Sequence, residues 1–347
     1  MANKHVIFLV HGMGNYTNGW SDPAQNIIKD KYKKFPQISW LKFNRFYEFV
    51  EIIYDDEFEA LRKQWERMSE GLGTALQSQG INAGLVKKLN KLAGVTNKDK
   101  FINTHIVDVL LYRFARQTAS AVRDSIRVQI LDKLKSLNSS EPISWSIIAH
   151  SLGTAVIHDA LHGLYTDALD ISGQQLGNVT RPHMLMMVAN VSRILQSDVK
   201  VYQSVVRPGA PENAHAVRHY INARHEWDPF PMPKAFRPKP DWPTLSIRER
   251  GFYKEIVTNA IEDKNIHSLE HYLKNPLVHT ALFNALSDRS AIDDASIKSA
   301  HSNYVAKTPL GKFEETVQQL KEFQLGEEED LAKVIKVWAE FKDKVGA

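Results

Sequence analysis

The chain has 347 residues, of which 43% are hydrophobic and 24% are charged, a composition typical of a globular protein with a full-sized core. Its formal net charge of +4 is a mild and scattered basic excess, which argues against a nucleic-acid partner. The chain has no cysteine, so disulfides, thiolate catalysis and zinc–thiolate sites are excluded.

The sequence carries no membrane-spanning pattern, because no stretch approaches about 18 uninterrupted apolar residues. Peripheral contact with a membrane surface stays open. The apolar run near the first residue is too short for a signal peptide, so we expect a cytoplasmic protein, with leaderless export as the alternative. The composition predicts no particular oligomeric state.

Strand patterns and helix patterns alternate along the chain. The continuous apolar run at 6–10 is typical of a strand buried on both faces, and further strands are predicted at 47–54, 143–149, 184–188, 216–221 and 252–260. Helices are predicted over most of 57–136, with an apolar stripe through Val122, Ile126, Ile130 and Leu134, and again beyond Ser151. Strands separated by helices predict an α/β fold, with a mostly parallel central sheet covered by helices on both faces.

We predict one domain over 1–300, with a helical insertion around 57–105, and a helical extension over 301–347 packed on that domain. Within the insertion, residues 71–100 contain five glycines but keep an apolar stripe at Ile81, Leu85, Leu89 and Leu92. This pattern favours a plain pair of surface helices slightly over a flap above a site. The segment 229–243 holds six of the chain's 14 prolines, which predicts a stiff surface loop without regular structure.

Residues 149–153, Ala-His-Ser-Leu-Gly, lie where the strand at 143–149 gives way to a helix. The pattern small-x-Ser-x-Gly is that of a nucleophile elbow, in which small residues such as Ala149 and Gly153 permit a sharp turn that pushes Ser151 Oγ out at the carboxyl end of the strand. The start of the helix would place free N–H groups and the positive end of its dipole under the serine. His150 is the variable position, able to touch only substrate or neighbouring loops. The alternative is that Ser151 merely caps the helix.

The loop after the first strand, His-Gly-Met-Gly at 11–14, is the other motif that indicates chemistry. In a site with a nucleophile elbow, the second oxyanion donor comes from a loop after an early strand, and Gly12 and Gly14 would let the backbone approach the substrate. We therefore predict an oxyanion hole made by the N–H groups of Met13 and Leu152, with His11 shaping the loop. A phosphate-binding loop is disfavoured, because the glycine spacing does not fit the dinucleotide fingerprint and no P-loop lysine follows.

The HGMG loop and the AHSLG elbow together resemble the serine hydrolases of the α/β-hydrolase fold. The resemblance extends in order and spacing over roughly residues 4–286. It implies a catalytic triad in the chain order serine, acid, histidine, with Ser151 as the nucleophile.

The other two members of the triad are sought after the last two strands. Asp228 follows the strand at 216–221, with Asp241 and Glu226 as fallbacks, and its alternative role is an Asx turn before a proline. His267, in a polar loop just before a helix N-cap, is favoured as the base over His271, which falls within that helix. His279 is interpreted as a surface or packing residue.

The resemblance implies a carboxylic ester hydrolase of esterase or lipase type, acting on a small-molecule or lipid ester without a cofactor. A metal site at 225–228 is disfavoured, since adjacent residues rarely converge on one ion and no HExxH pattern is present. Two alternatives stay open: a non-catalytic binding protein of the same fold, and an acyltransferase that uses the same triad.

Overall fold

The computed structural model describes residues 3–14, 16–59, 112, 116–137, 140–166, 181–196, 199–209, 215–238, 252–262, 265–287 and 291–306. The insertion predicted around 57–105 and the extension predicted over 301–347 lie almost entirely outside these residues, as do Asp241 and the apolar stripe at 81–92. Those interpretations stay predictions.

The described strands form one parallel sheet, which confirms the predicted α/β class. The six strands are β1 His5–Val10, β2 Tyr47–Ile52, β3 Trp145–His150, β4 Met184–Val188, β5 His219–His225 and β6 Tyr253–Thr258. Their order across the sheet is β2-β1-β3-β4-β5-β6, and every neighbouring pair is parallel. The carboxyl ends of all described strands therefore meet at one edge, where loops can assemble a site.

The helices lie on both faces of the sheet. Within the described residues they are α1 Asp22–Tyr32, α2 Pro36–Ser39, α3 Phe43–Phe46, α4 Arg116–Lys135, α5 Leu152–Thr166, α6 Ser192–Leu195, α7 Leu269–Lys274, α8 Pro276–Leu286 and α9 Asp294–Val305. None of the helices described is both long and apolar enough to cross a bilayer.

Two hydrophobic cores follow from the two-residue period of the strands. Val6, Phe8 and Val10 of β1 point to the side that α4 and α5 cover, whereas Ile7 and Leu9 point to the side of α1, α7 and α8. The predicted stripe on α4 belongs to the first core, with Val122, Ile126, Ile130 and Leu134 all buried there. A sheet buried on both faces explains why the strand at 6–10 is apolar without alternation.

The structure shifts some predicted boundaries. β5 begins at His219 rather than at 216 and runs on to His225, because polar residues continue it where the apolar pattern stops. Asn222 donates its side-chain amide to the Phe236 carbonyl, and the His225 N–H donates to the Tyr272 hydroxyl, so both are buried with partners. In the described part of the proline-rich segment, residues 229–238, a 3₁₀ turn at Met232–Lys234 corrects the prediction that this segment has no regular structure.

Candidate active site

Ser151 occupies a strained turn between β3 and α5. Its φ of 52° lies in the left-handed region that L residues rarely adopt, and its side chain is buried. The Ser151 N–H donates to the Val188 carbonyl at 3.0 Å, while the Thr154 hydroxyl donates to the Ser151 carbonyl at 2.6 Å. A residue that only caps a helix has extended backbone angles, so this geometry favours a nucleophile elbow over a cap.

Close backbone approach explains two of the three motif glycines. A Cβ atom at Gly12 would lie 2.9 Å from Ser151 Cβ, and one at Gly153 would collide with the carbonyl oxygens of Val10 and His11. Glycine at these positions lets the loop after β1 pack directly against the elbow. Gly14 has a φ of 151°, a backbone conformation that is strained for any residue with a side chain.

The structure brings the three predicted triad residues together. Ser151 Oγ lies 2.9 Å from His267 Nε2, and His267 Nδ1 lies 2.8 and 3.0 Å from the two carboxylate oxygens of Asp228. Because a carboxylate can only accept, the Nδ1 atom carries the ring proton and Nε2 is left to accept the proton of the serine hydroxyl. The His267 side chain is 12% exposed and that of Asp228 is completely buried.

Asp228 is held as a carboxylate by several donors. Besides His267, it accepts hydrogen bonds from the Tyr272 hydroxyl at 2.7 Å and from the Phe230 N–H at 3.0 Å. Burial by itself would raise the pKa of Asp228, but the nearby His267 and these donors outweigh it and lower the pKa below its usual value. The bond to Phe230 is the Asx turn considered as an alternative role, so Asp228 forms this turn while it also orients His267.

The other sequence candidates lie elsewhere. His271, the alternative base, is buried in α7, where its ring packs against the rings of His225 and Tyr272. The histidine bonded to Ser151 is therefore His267. Glu226 is exposed just beyond β5, and His279 is a buried packing residue of α8 whose ring donates to the Leu273 carbonyl.

A cavity of about 260 Å³ opens onto the serine and the histidine. Its walls come from the loops after β1, β3, β5 and β6, among them Met13, Tyr16, Trp20, Phe230, Leu269 and Glu270. Met13, one predicted oxyanion donor, lines this cavity. Leu152, the other, is the first residue of α5, so its N–H has no acceptor within the helix. Their role as donors stays a prediction.

Sequence reasoning missed two tyrosines that support the site. Tyr272 bonds Asp228, and the Tyr54 hydroxyl contacts the carbonyl oxygens of the loop after β1. Neither tyrosine lies in a motif, and each is more than 40 positions away from its partner along the chain. No local sequence pattern could therefore have indicated either contact. Within the described residues, no group of three or more His, Asp or Glu side chains is arranged to hold a metal ion.

Comparison with known proteins gives little similarity. No family model matches the chain, and no curated protein matches it. Among solved structures, it is similar to the crystal structure of an uncharacterized protein from Pseudomonas aeruginosa, with 12% sequence identity and a TM-score of 0.36. The match covers 96% of this chain and 52% of the other, so the chain spans about half the length of that protein. A similarity at this level carries no argument about function.

Proposed function

We propose that this protein is a serine hydrolase of the α/β-hydrolase fold that cleaves carboxylic esters through an acyl-enzyme on Ser151. The observation that carries the proposal is the continuous chain of hydrogen bonds from Ser151 Oγ through His267 to Asp228, at 2.9 and 2.8 Å. A serine hydroxyl within reach of an imidazole, itself oriented by a buried carboxylate, is the arrangement that activates a serine nucleophile.

In the proposed reaction, Ser151 Oγ attacks the carbonyl carbon while His267 Nε2 takes the hydroxyl proton. The N–H groups of Met13 and Leu152 hold the negative oxygen of the tetrahedral intermediate. When the intermediate collapses, the bond to the alcohol oxygen breaks and the alcohol leaves with the proton from His267. Water attacks the acyl-enzyme by the same route, which releases the acid and restores the serine without any cofactor.

The arrangement of the loops supports the α/β-hydrolase type. Ser151 follows β3, Asp228 follows β5 and His267 follows β6, all at the carboxyl edge of the sheet. This gives the chain order serine, acid, histidine, which is the order of that fold and differs from the orders in chymotrypsin and subtilisin. The strained turn at Ser151, placed between a buried strand and a helix, is a second feature in agreement.

The size of the cavity favours a short acyl group. Its volume of about 260 Å³ lies just below the range of about 300–1,000 Å³ that is usual for ligand sites. Aromatic and aliphatic walls beside the serine would accept an apolar chain, while an alcohol group would extend towards the opening. We therefore expect acetyl and butyryl esters to be cleaved faster than long-chain lipid esters.

Labelling with a fluorophosphonate, read by intact mass, tests the proposal. The wild type should gain one adduct and Ser151→Ala none, and the variant should lose ester hydrolysis by about a million-fold. Ser146→Ala is the matched control, because this buried serine lies in β3, the strand that leads to Ser151, and its hydroxyl contacts the His5 ring instead of His267. The control variant should be labelled like the wild type.

The other outcomes separate the alternatives. An unlabelled wild type that hydrolyses no ester in a panel of graded acyl length would contradict the proposal and favour the binding protein. Transfer of the acyl group to an added alcohol, in preference to water, would identify an acyltransferase that uses the same nucleophile.

A further inference from the structure

The loop after β1 packs against a buried pair of rings. The ring of His11, in the loop, stacks on that of Tyr54, just beyond β2, with 4.0 Å between ring centroids and 14° between ring planes. Both residues are buried, and neither contacts Ser151 or Asp228 through a described hydrogen bond. In the proposed reaction this pair takes no part in the proton transfers.

The pair bonds two successive carbonyl groups of the loop. The Tyr54 hydroxyl lies 2.7 Å from the His11 carbonyl oxygen and 3.1 Å from that of Gly12. Its single proton is shared between the two oxygens, and the shorter bond, to His11, is the stronger one. His11 Nδ1 lies 2.9 Å from the same Gly12 oxygen. Because a carbonyl oxygen can only accept, Nδ1 carries the proton of the imidazole.

The neutral state of the ring fits this bonding. Burial lowers the pKa of His11 to about 4, so the imidazole is neutral near pH 7. Its Nε2 atom then accepts from the Tyr54 N–H at 3.4 Å, and the Asp55 oxygen at the same distance from Nε2 forms no ion pair with it. The hydrogen bonds thus fix the ring in one tautomer that donates to the loop.

The direction of the carbonyl groups determines the direction of the N–H groups. In a trans peptide, C=O and N–H point to opposite sides. Since the carbonyls of His11 and Gly12 both point towards the Tyr54 hydroxyl, the N–H groups of Gly12 and Met13 both point away from it. Successive N–H groups on one side form a concave site for an anion, and both residues line the cavity beside Ser151.

We propose that Tyr54 and His11 are positioning residues, which hold the carbonyls of residues 11 and 12 so that the N–H of Met13 faces the oxyanion. This inference rests on the proposed function. An oxyanion donor stabilises the transition state only if it is aimed before the reaction begins. With the Tyr54 hydroxyl removed, the His11 carbonyl loses this donor and the Gly12 carbonyl keeps the bond from His11 Nδ1. The loop is then held less firmly, and the N–H of Met13 is aimed less well at the oxyanion.

The test compares the rate of ester hydrolysis by Tyr54→Phe with that of the wild type. Both rates are divided by the number of active sites, which is measured by titration to completion with a fluorophosphonate. The variant should lower kcat for a butyryl ester at least tenfold with little change in KM, since ground-state binding does not use the donor. The inhibition constant of a trifluoromethyl ketone, which forms an oxyanion with Ser151, should rise by a similar factor. A purely structural loss would lower the number of titrated sites and leave both constants unchanged.

Tyr112→Phe is the matched control, because Tyr112 is equally buried and its hydroxyl donates at 2.7 Å to Asp159 of α5. It should leave kcat and the ketone constant near the wild-type values. A second pair of variants examines the imidazole: His11→Asn keeps a donor near the position of Nδ1 and should retain more activity than His11→Leu.

Two failures are distinguishable. If the wild type is labelled and active but Tyr54→Phe keeps both its kcat and its affinity for the ketone, the inference is wrong and the proposed function stands. If the wild type is neither labelled nor active, the proposed function itself fails, and with it the inference.

Discussion

Tyr272→Phe removes one hydroxyl that serves two buried partners of the candidate site. In the wild type this hydroxyl donates to Asp228 Oδ2 at 2.7 Å and accepts from the His225 N–H at 2.8 Å. All three residues are at most 2% exposed, so water cannot readily replace the lost bonds. The substitution keeps the ring and its packing, which makes the hydroxyl the main change.

The magnitude follows from the two bonds. A hydrogen bond to a charged group contributes about 1.5–3 kcal/mol, and a buried N–H left without an acceptor costs about 1–3 kcal/mol. We expect the free energy of unfolding to fall by about 2.5–6 kcal/mol. Asp228 would keep its bonds to His267 and Phe230, but it would lose the donor that fixes one oxygen. A misplacement of the catalytic groups by about 1 Å can lower the rate by about 100-fold, so a loss of 10- to 100-fold in kcat is expected.

Urea unfolding followed by tryptophan fluorescence measures the first quantity, and ester hydrolysis per labelled serine measures the second. Tyr220→Phe is a suitable comparison, because its hydroxyl is also buried but contacts the Asn190 amide at 3.4 Å, outside the triad. A Tyr272→Phe protein with wild-type stability and wild-type kcat would refute the reasoning, since Asp228 would then need no donor besides His267 and Phe230.

Two further predictions concern the fold. Gly153→Ala should lower the free energy of unfolding by about 3 kcal/mol or more, because the new methyl group collides with the His11 carbonyl oxygen. Urea titration measures this loss, and a variant with wild-type stability would contradict the close approach of the loop to the helix. Stability should also fall below pH 6.5, because burial lowers the pKa values of four histidines to about 3 or 4: His11, His150, His225 and His279. Between pH 6.5 and 4 the unfolded chain binds protons that the folded chain does not, which costs up to about 1.4 kcal/mol per pH unit for each histidine. His279→Leu should flatten this profile, and an unchanged slope would exclude that residue from it.

The sequence predicts the elements of the sheet well because both of its faces are buried. Apolar runs such as the one at 6–10 and the one at 184–188 needed only their composition to be recognised as strands. The pattern ends β5 too early, at 221, since Asn222 and His225 are polar residues whose hydrogen bonds are supplied by distant parts of the chain. A local pattern cannot reveal a partner that only tertiary folding provides.

The same distinction applies to the candidate site. Ser151, Asp228 and His267 could be proposed from sequence because each directly follows a predicted strand or lies in the first loop beyond it, and parallel strands bring such loops to one edge. The choice between His267 and His271 depended on a difference of four residues, and the structure connects His267 to the serine. Tyr54 and Tyr272 could not be proposed, because what makes them relevant is their contact with backbone or carboxylate atoms far along the chain.

His150 shows why a neutral neighbour suits the proposed reaction. Its ring centroid lies 4.9 Å from that of His267, which would carry a positive charge after taking the proton of Ser151. Burial lowers the pKa of His150 to about 3, so no second charge opposes the one forming on His267. The uncharged ring donates from Nε2 to the His267 carbonyl oxygen at 2.6 Å and so helps to hold the loop after β6. One buried carboxylate, Asp228, therefore faces the one imidazole that takes the serine proton, which is the charge balance that the proposed acyl transfer through His267 requires.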